Sequence, residues 1–141
     1  MSSDTLTPGV LTGDAVGRAF ALAKQHGFAL PAANCIGSNS MNAVMETAAA
    51  VNSPAIIQFS NGGGAFVAGK GLGGGIAASI AGSIAGAHHV RTLAGYYGAR
   101  VILHTDHAAE PLLPWIDGLL GASEAYFALH GESLFSSHML D

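Results

Sequence analysis

Val101-Ile102-Leu103-His104-Thr105-Asp106-His107 begins as an apolar, β-branched run and ends in groups that can move protons or hold a metal. The first half has the composition of a strand buried on both faces. A buried strand whose last residues turn ionisable suits a parallel α/β fold, where the carboxyl ends of strands open into a crevice between loops. His104 and Asp106 stand two apart and so share one face of the strand. His107 joins them only where the strand ends and its twist relaxes. Two readings of this tip stand side by side on spacing alone. One is a metal-binding histidine beside a proton-transferring carboxylate; the other is a satisfied core histidine with Asp106 capping the next helix.

The flanking sequence alternates between helix and strand patterns. After a loose leader, Thr12-Gly13-Asp14 starts a helix with Val16, Phe20 and Ala23 on one face and Gly27 as its stop. Phe28 to Asn34 is the first strand, with Pro31 awkward inside it. Ser38 is the expected N-cap of a helix through Val51 whose stripe is Met41, Val44, Met45 and Ala48, closed by Pro54. Ala55 to Ser60 is the second strand, running into a Gly62-Gly63-Gly64 loop, and Ile76 to Tyr97 is a long Gly/Ala-rich helix ended by Gly98. Beyond the third strand, Pro111–Leu120 and Glu124–Leu129 make one or two helices, and Leu134 to Asp141 is a fourth strand. This order specifies right-handed crossovers and a parallel sheet covered by helices. The last strand has no helix after it and leaves a ladder edge open. A four-stranded α/β sandwich and the first half of a larger closed barrel both fit; the low charge content favours the half-barrel.

Half of the 141 residues are hydrophobic and only 10% are charged, where about a quarter would be usual, and mean hydropathy is +0.41. Such a chain expects its surface to be covered. Net charge is −4 and the five basic residues are scattered singly, which excludes a cationic stripe for nucleic acid or an anionic membrane. Cys35 is the only cysteine, so no internal disulfide forms and a cytoplasmic location is expected. Met1–Asp14 lacks the basic and apolar regions of a secretory signal. The stretch between Lys70 and Arg91 has no charged residue and contains a Gly82/Gly86 GxxxG spacing. It is too rich in glycine, serine and histidine for a membrane span, and reads as a closely packed helix.

Asn34 and Ser60 end the first and second strands as Asp106 and His107 end the third, so polar groups converge at one mouth. The Gly62–Gly64 run could bring backbone amides to an anion, but matches no phosphate-loop pattern. His88 and His89 are adjacent on a helix and face apart. His26 and His130 suit helix C-termini, and Cys35 reads as a small buried hydrophobe.

Phe28-Ala29-Leu30-Pro31-Ala32-Ala33-Asn34-Cys35, Gln58-Phe59-Ser60-Asn61-Gly62-Gly63, Gly86-Ala87-His88-His89-Val90, the Val101–His107 block, Leu112-Leu113-Pro114-Trp115 and Phe135-Ser136-Ser137-His138-Met139-Leu140-Asp141 occur in that order. Together they resemble the N-terminal part of class II, metal-dependent fructose-bisphosphate aldolases, over essentially the whole chain. The resemblance implies a zinc enzyme on a (β/α)8 barrel, a homodimer at full length. It would cleave fructose 1,6-bisphosphate reversibly to dihydroxyacetone phosphate and glyceraldehyde 3-phosphate. It also implies Asp106 as the catalytic carboxyl, His107 as a zinc ligand, Asn34 and Ser60 as substrate contacts, and Asp141 as a carboxylate at a secondary metal position. The chemistry agrees: a divalent metal polarises the carbonyl beside the developing carbanion, and a carboxyl in reach manages the proton on the other fragment. No lysine stands at a strand end for the Schiff-base alternative. The remaining zinc histidines, the acidic proton-abstracting residue and the phosphate-binding loops belong to the family's second half and are not matched. The Gly71–Ile76 loop looks shortened, and Ala108-Ala109-Glu110 replaces a stretch that usually carries Cys and Lys. The expectation is therefore residues 1–141 as one incomplete barrel domain with about four parallel strands, inactive alone. The alternative is a non-catalytic α/β remnant acting through a partner chain.

Overall fold

The computed structural model describes residues 6–141, so the first five residues of the leader lie outside the described residues. Five parallel strands form one sheet: β1 (Gly9–Val10), β2 (Ala32–Asn34), β3 (Ala55–Ser60), β4 (Arg100–Ala108) and β5 (Ser137–Leu140). The helices are α1 (Asp14–His26), α2 (Ser38–Ala50), α3 (Asn61–Ala68), α4 (Gly75–Tyr97) and α5 (Leu113–His130), with single 3₁₀ turns at Lys70–Leu72 and Glu110–Leu112. Strand β4 is the spine. On one side it pairs with β3 from Ala55↔Val101 to Ser60↔Asp106, and β2 lies beyond β3. Its other ladder is divided between β1, beside Arg100 and Val101, and β5, which starts opposite His104. The Ser136 hydroxyl joins the two segments, accepting from the Leu103 amide at 2.9 Å and donating to the Leu11 carbonyl at 2.6 Å.

Strand alternation separates two faces. The outer face carries Ala55, Ile57 and Phe59 from β3 and Val101 and Leu103 from β4, buried with Met41, Met45, Val90, Trp115 and Leu119 of the helices. On the inner face, Ile102 is buried with Leu6, Leu11 and Ala19, with Ile56 packed alongside, so α1 plugs the N-terminal end. Further along that face the register brings Gln58 beside His104, then Ser60 beside Asp106. The inner face thus runs from an apolar plug to a polar mouth.

Several expectations need correction. The leader contributes a strand, because Gly9 and Leu11 amides bond to the Ala99 and Val101 carbonyls. The first expected strand is ordered as a ladder only over Ala32–Asn34; pairing starts at the Pro31 carbonyl, which accepts from Ile56. Phe20 is 51% exposed, and α1 buries Ala19 and Ala23 instead. Ser38 is the first helical residue rather than the cap; the Ser40 hydroxyl accepts from the Ile36 and Gly37 amides. Asn52, at φ 50, turns the chain after α2 before Pro54 is reached. Residues 113–130 form one helix, since Leu119 and Ser123 face the core on either side of Gly121.

The Gly62-Gly63-Gly64 run is helical, not an anion loop. The Ser60 hydroxyl caps α3 by accepting from the Gly63 amide at 3.1 Å. A Cβ on Gly82 would collide with the Gly64 carbonyl and come within 2.6 Å of the Ala68 nitrogen. The glycines therefore let α3 and α4 approach backbone to backbone. Gly86 makes room in the same way for the Phe59 ring. No helix among the described residues is long and apolar enough to cross a membrane.

Candidate active site

Asp106 stands near the carboxyl end of β4 on the inner face, with a side chain 16% exposed. The Asn34 side-chain amide, from the end of β2, donates to its Oδ2 at 3.0 Å across the width of β3. Ser60, paired with Asp106, lies between them in the sheet. The three tips thus open at the same end. Ser60 keeps its hydroxyl proton available while its oxygen caps α3. Asp106 does not cap the next helix, which begins at Leu113.

His107 reaches the mouth through an irregularity. Between the pairs Thr105↔His138 and Ala108↔Leu140, two residues of β4 stand against the single Met139 of β5. His107 takes φ 48, a left-handed conformation uncommon outside glycine. This bulge re-aims a residue that strict alternation would send to the outer face. Its ring is 68% exposed, with Nδ1 at 2.9 Å from Asp141 Oδ1 and Nε2 at 3.8 Å from Asp106 Oδ1. The hydrogen bond to Asp141, then the charges of Asp141 and Asp106, raise the His107 pKa above its ordinary value.

Beneath the mouth, His104 Nδ1 lies 2.8 Å from Ser137 Oγ, and burial lowers the His104 pKa. His138 points to the outer face, 2.8 Å from Thr105 Oγ1. Burial, and then the nearby charge of His104, push its pKa down to about 4. Cys35 is buried, and burial raises its thiol pKa. His89 bonds to Asn42 at 2.7 Å and His88 lies against Tyr126, so that pair faces apart.

Gln58 and Ser137 were not singled out by sequence reasoning, although both lie on the inner face beside His104. Strand alternation placed Gln58 on the Ser60 face. Nothing local marks Ser137, whose partner is 33 residues away.

A catalytic zinc takes three protein ligands. Among the described residues no group of three His, Cys, Asp or Glu could hold a metal ion. The donors present suit one ligand position: a carboxylate on Nδ1 fixes the ring and leaves Nε2 outward, the arrangement found behind metal-bound histidines. They do not make a complete cage.

Residues 14–141 match the family described as fructose-bisphosphate aldolase class-II. The class 2 fructose-bisphosphate aldolase of Escherichia coli strain K12 is 59% identical over 140 residues, which are 98% of this chain and 39% of that protein. The fructose-bisphosphate aldolase of Haemophilus influenzae is 61% identical over 140 residues, with the same shares. A crystal structure of fructose-bisphosphate aldolase from Campylobacter jejuni aligns with a TM-score of 0.92 at 54% identity, covering 98% of this chain and 39% of that one. The chain therefore spans about two-fifths of the length of these relatives.

Proposed function

The chain belongs to the class II fructose-bisphosphate aldolase family, and we propose that it supplies the proton-handling wall of an aldolase site. The substrate is fructose 1,6-bisphosphate, cleaved reversibly to dihydroxyacetone phosphate and glyceraldehyde 3-phosphate. The observation that carries this reading is the Asn34–Asp106 hydrogen bond at 3.0 Å beside His107 at one sheet end. Asp106 exchanges a proton with the oxygen of the aldehyde fragment. Asn34 holds that carboxylate in place and, with Ser60, contacts substrate. His107 would hold one zinc ligand position, and Asp141, expected at a secondary metal position, also orients its ring through Nδ1. Zinc, when bound, polarises the substrate carbonyl. Its other ligands and the phosphate loops come from a part of the family's length that these 141 residues do not span. The assembled enzyme is proposed to be a cytoplasmic homodimer. The rival reading, a non-catalytic unit acting through a partner chain, is favoured only by the shortage of metal donors.

A fusion of these 141 residues to the remaining length of the Campylobacter jejuni relative tests the reading. It should cleave fructose 1,6-bisphosphate in a zinc-dependent manner, whereas the 141 residues alone should not. Asp106→Asn in the fusion should lower kcat by about 10²–10⁴-fold, the usual contribution of a positioned acid–base group. Unchanged turnover in that variant would remove Asp106 from the chemistry.

A further inference from the structure

We propose that His138, on the outer face of the sheet, is a positioning residue for His107 at the mouth on the other side. Its hydrogen bond to Thr105 holds the strand register that forces the β4 bulge. This deepens the reading of His107 as a zinc ligand position and rests on it for the metal, though not for the backbone.

The bulge is the remainder of two registers that are one residue out of step. Below it, His104 stands opposite Ser137 and Thr105 opposite His138; above it, Ala108 stands opposite Leu140. The Asp141 amide, donating to the Ala108 carbonyl at 3.2 Å, extends the upper register. Three steps of β4, from Thr105 to Ala108, therefore run beside two steps of β5. A slip of β5 by one residue would let the upper register run through unbroken. Met139 would then stand opposite His107, His138 opposite Asp106 and Ser137 opposite Thr105. With no extra residue to absorb, β4 would alternate strictly and turn His107 to the outer face, away from Asp106.

The lower register is pinned on both faces against that slip. On the inner face His104 Nδ1 lies 2.8 Å from Ser137 Oγ, and the Ser136 hydroxyl bridges Leu103 and Leu11. On the outer face His138 Nδ1 lies 2.8 Å from Thr105 Oγ1, in the last pair before the bulge. Thr105 is fully buried, where a hydroxyl stripped of its partner is costly. The His138 ring is seated by Phe135 as well, with centroids 5.4 Å apart. A slip would carry this ring to the opposite face and break both contacts.

NMR on the purified chain tests this through the His107 backbone. A residue at positive φ gives a strong cross-peak between its own amide and Hα protons, and an extended strand residue gives a weak one. The parent chain should show the strong cross-peak at His107. His138→Leu and Thr105→Val, which remove the hydrogen bond with little change of volume, should each reduce it to the strand level with circular dichroism unchanged. His138→Asn, whose side-chain amide can replace Nδ1 opposite the hydroxyl, and Thr105→Ser should restore it. Gly82→Ala, a destabilising change on α4, should leave it strong. A weak cross-peak in the parent, a strong one in the Leu and Val variants, no rescue by Asn and Ser, or an equal loss in Gly82→Ala would overturn the proposal. Should the Leu or Val variant lose its circular dichroism, Thr105→Ala replaces it under the same outcomes. In the full-length fusion, the Leu and Val variants should weaken zinc affinity about tenfold, read by chelator competition, and the Asn and Ser variants should not. If the cross-peak responds and zinc affinity does not, the positioning of His107 stands and its reading as a zinc ligand falls.

Discussion

His107 shows how a single residue's backbone can decide what a strand tip does. Its left-handed φ of 48 costs free energy in a β-strand, of order 1–3 kcal/mol, and is held by the surrounding bulge. What is gained is a ring on the same side as Asp106, with Nδ1 fastened to Asp141. Asp141→Asn should therefore lower the His107 titration midpoint, read by NMR of the imidazole protons. In the full-length fusion it should weaken zinc affinity about 10–100-fold, read by chelator competition. An unmoved midpoint would show that Asp141 does not hold the ring. His138 gives a second residue-scale expectation. Its folded pKa of about 4 lies below the ordinary 6.5, so between those values the unfolded chain binds more protons than the folded one. Stability is then complete above pH 6.5 and falls as pH drops toward 4. His138→Gln should flatten that fall in thermal melts across pH 4–7, leaving the smaller part due to His104.

At the scale of elements, the α3–α4 crossing is the feature whose cause was hardest to read. Gly62-Gly63-Gly64 looked like an exposed loop because glycine lowers helix propensity, and the run does lie directly after a strand. Ser60 starts a helix there, and Gly64 and Gly82 accept the cost because no side chain fits between the two backbones. Gly82→Ala should push α3 off α4 and destabilise the chain by about 1–3 kcal/mol, in the range of overpacked cores. Urea unfolding measures this; an unchanged midpoint would mean that the helices separate freely. Gly121→Ala, where an added Cβ meets nothing within 4 Å, serves as the control. The same small-residue logic explains the uncharged stretch between Lys70 and Arg91. Its Gly82/Gly86 spacing serves α3 and Phe59 within the fold.

For the whole molecule, the low charge content leaves large apolar side chains exposed on several helices, with Leu113, Leu120, Phe127 and Leu129 together on α5. The alternation of helix and strand, the burial of Val101 and Leu103, and the polar ends at Asn34, Ser60 and Asp106 were all legible in the sequence. Periodicity and composition are local, and a buried parallel strand has few ways to be written. Tertiary structure alone decided that the leader adds a strand, that α1 plugs the inner face, and that Ser137 meets His104. It also decided that Asp141 meets His107. Those partners are far apart in the chain, and their meeting depends on sheet register and on one bulge, neither of which leaves a mark in the residues nearby.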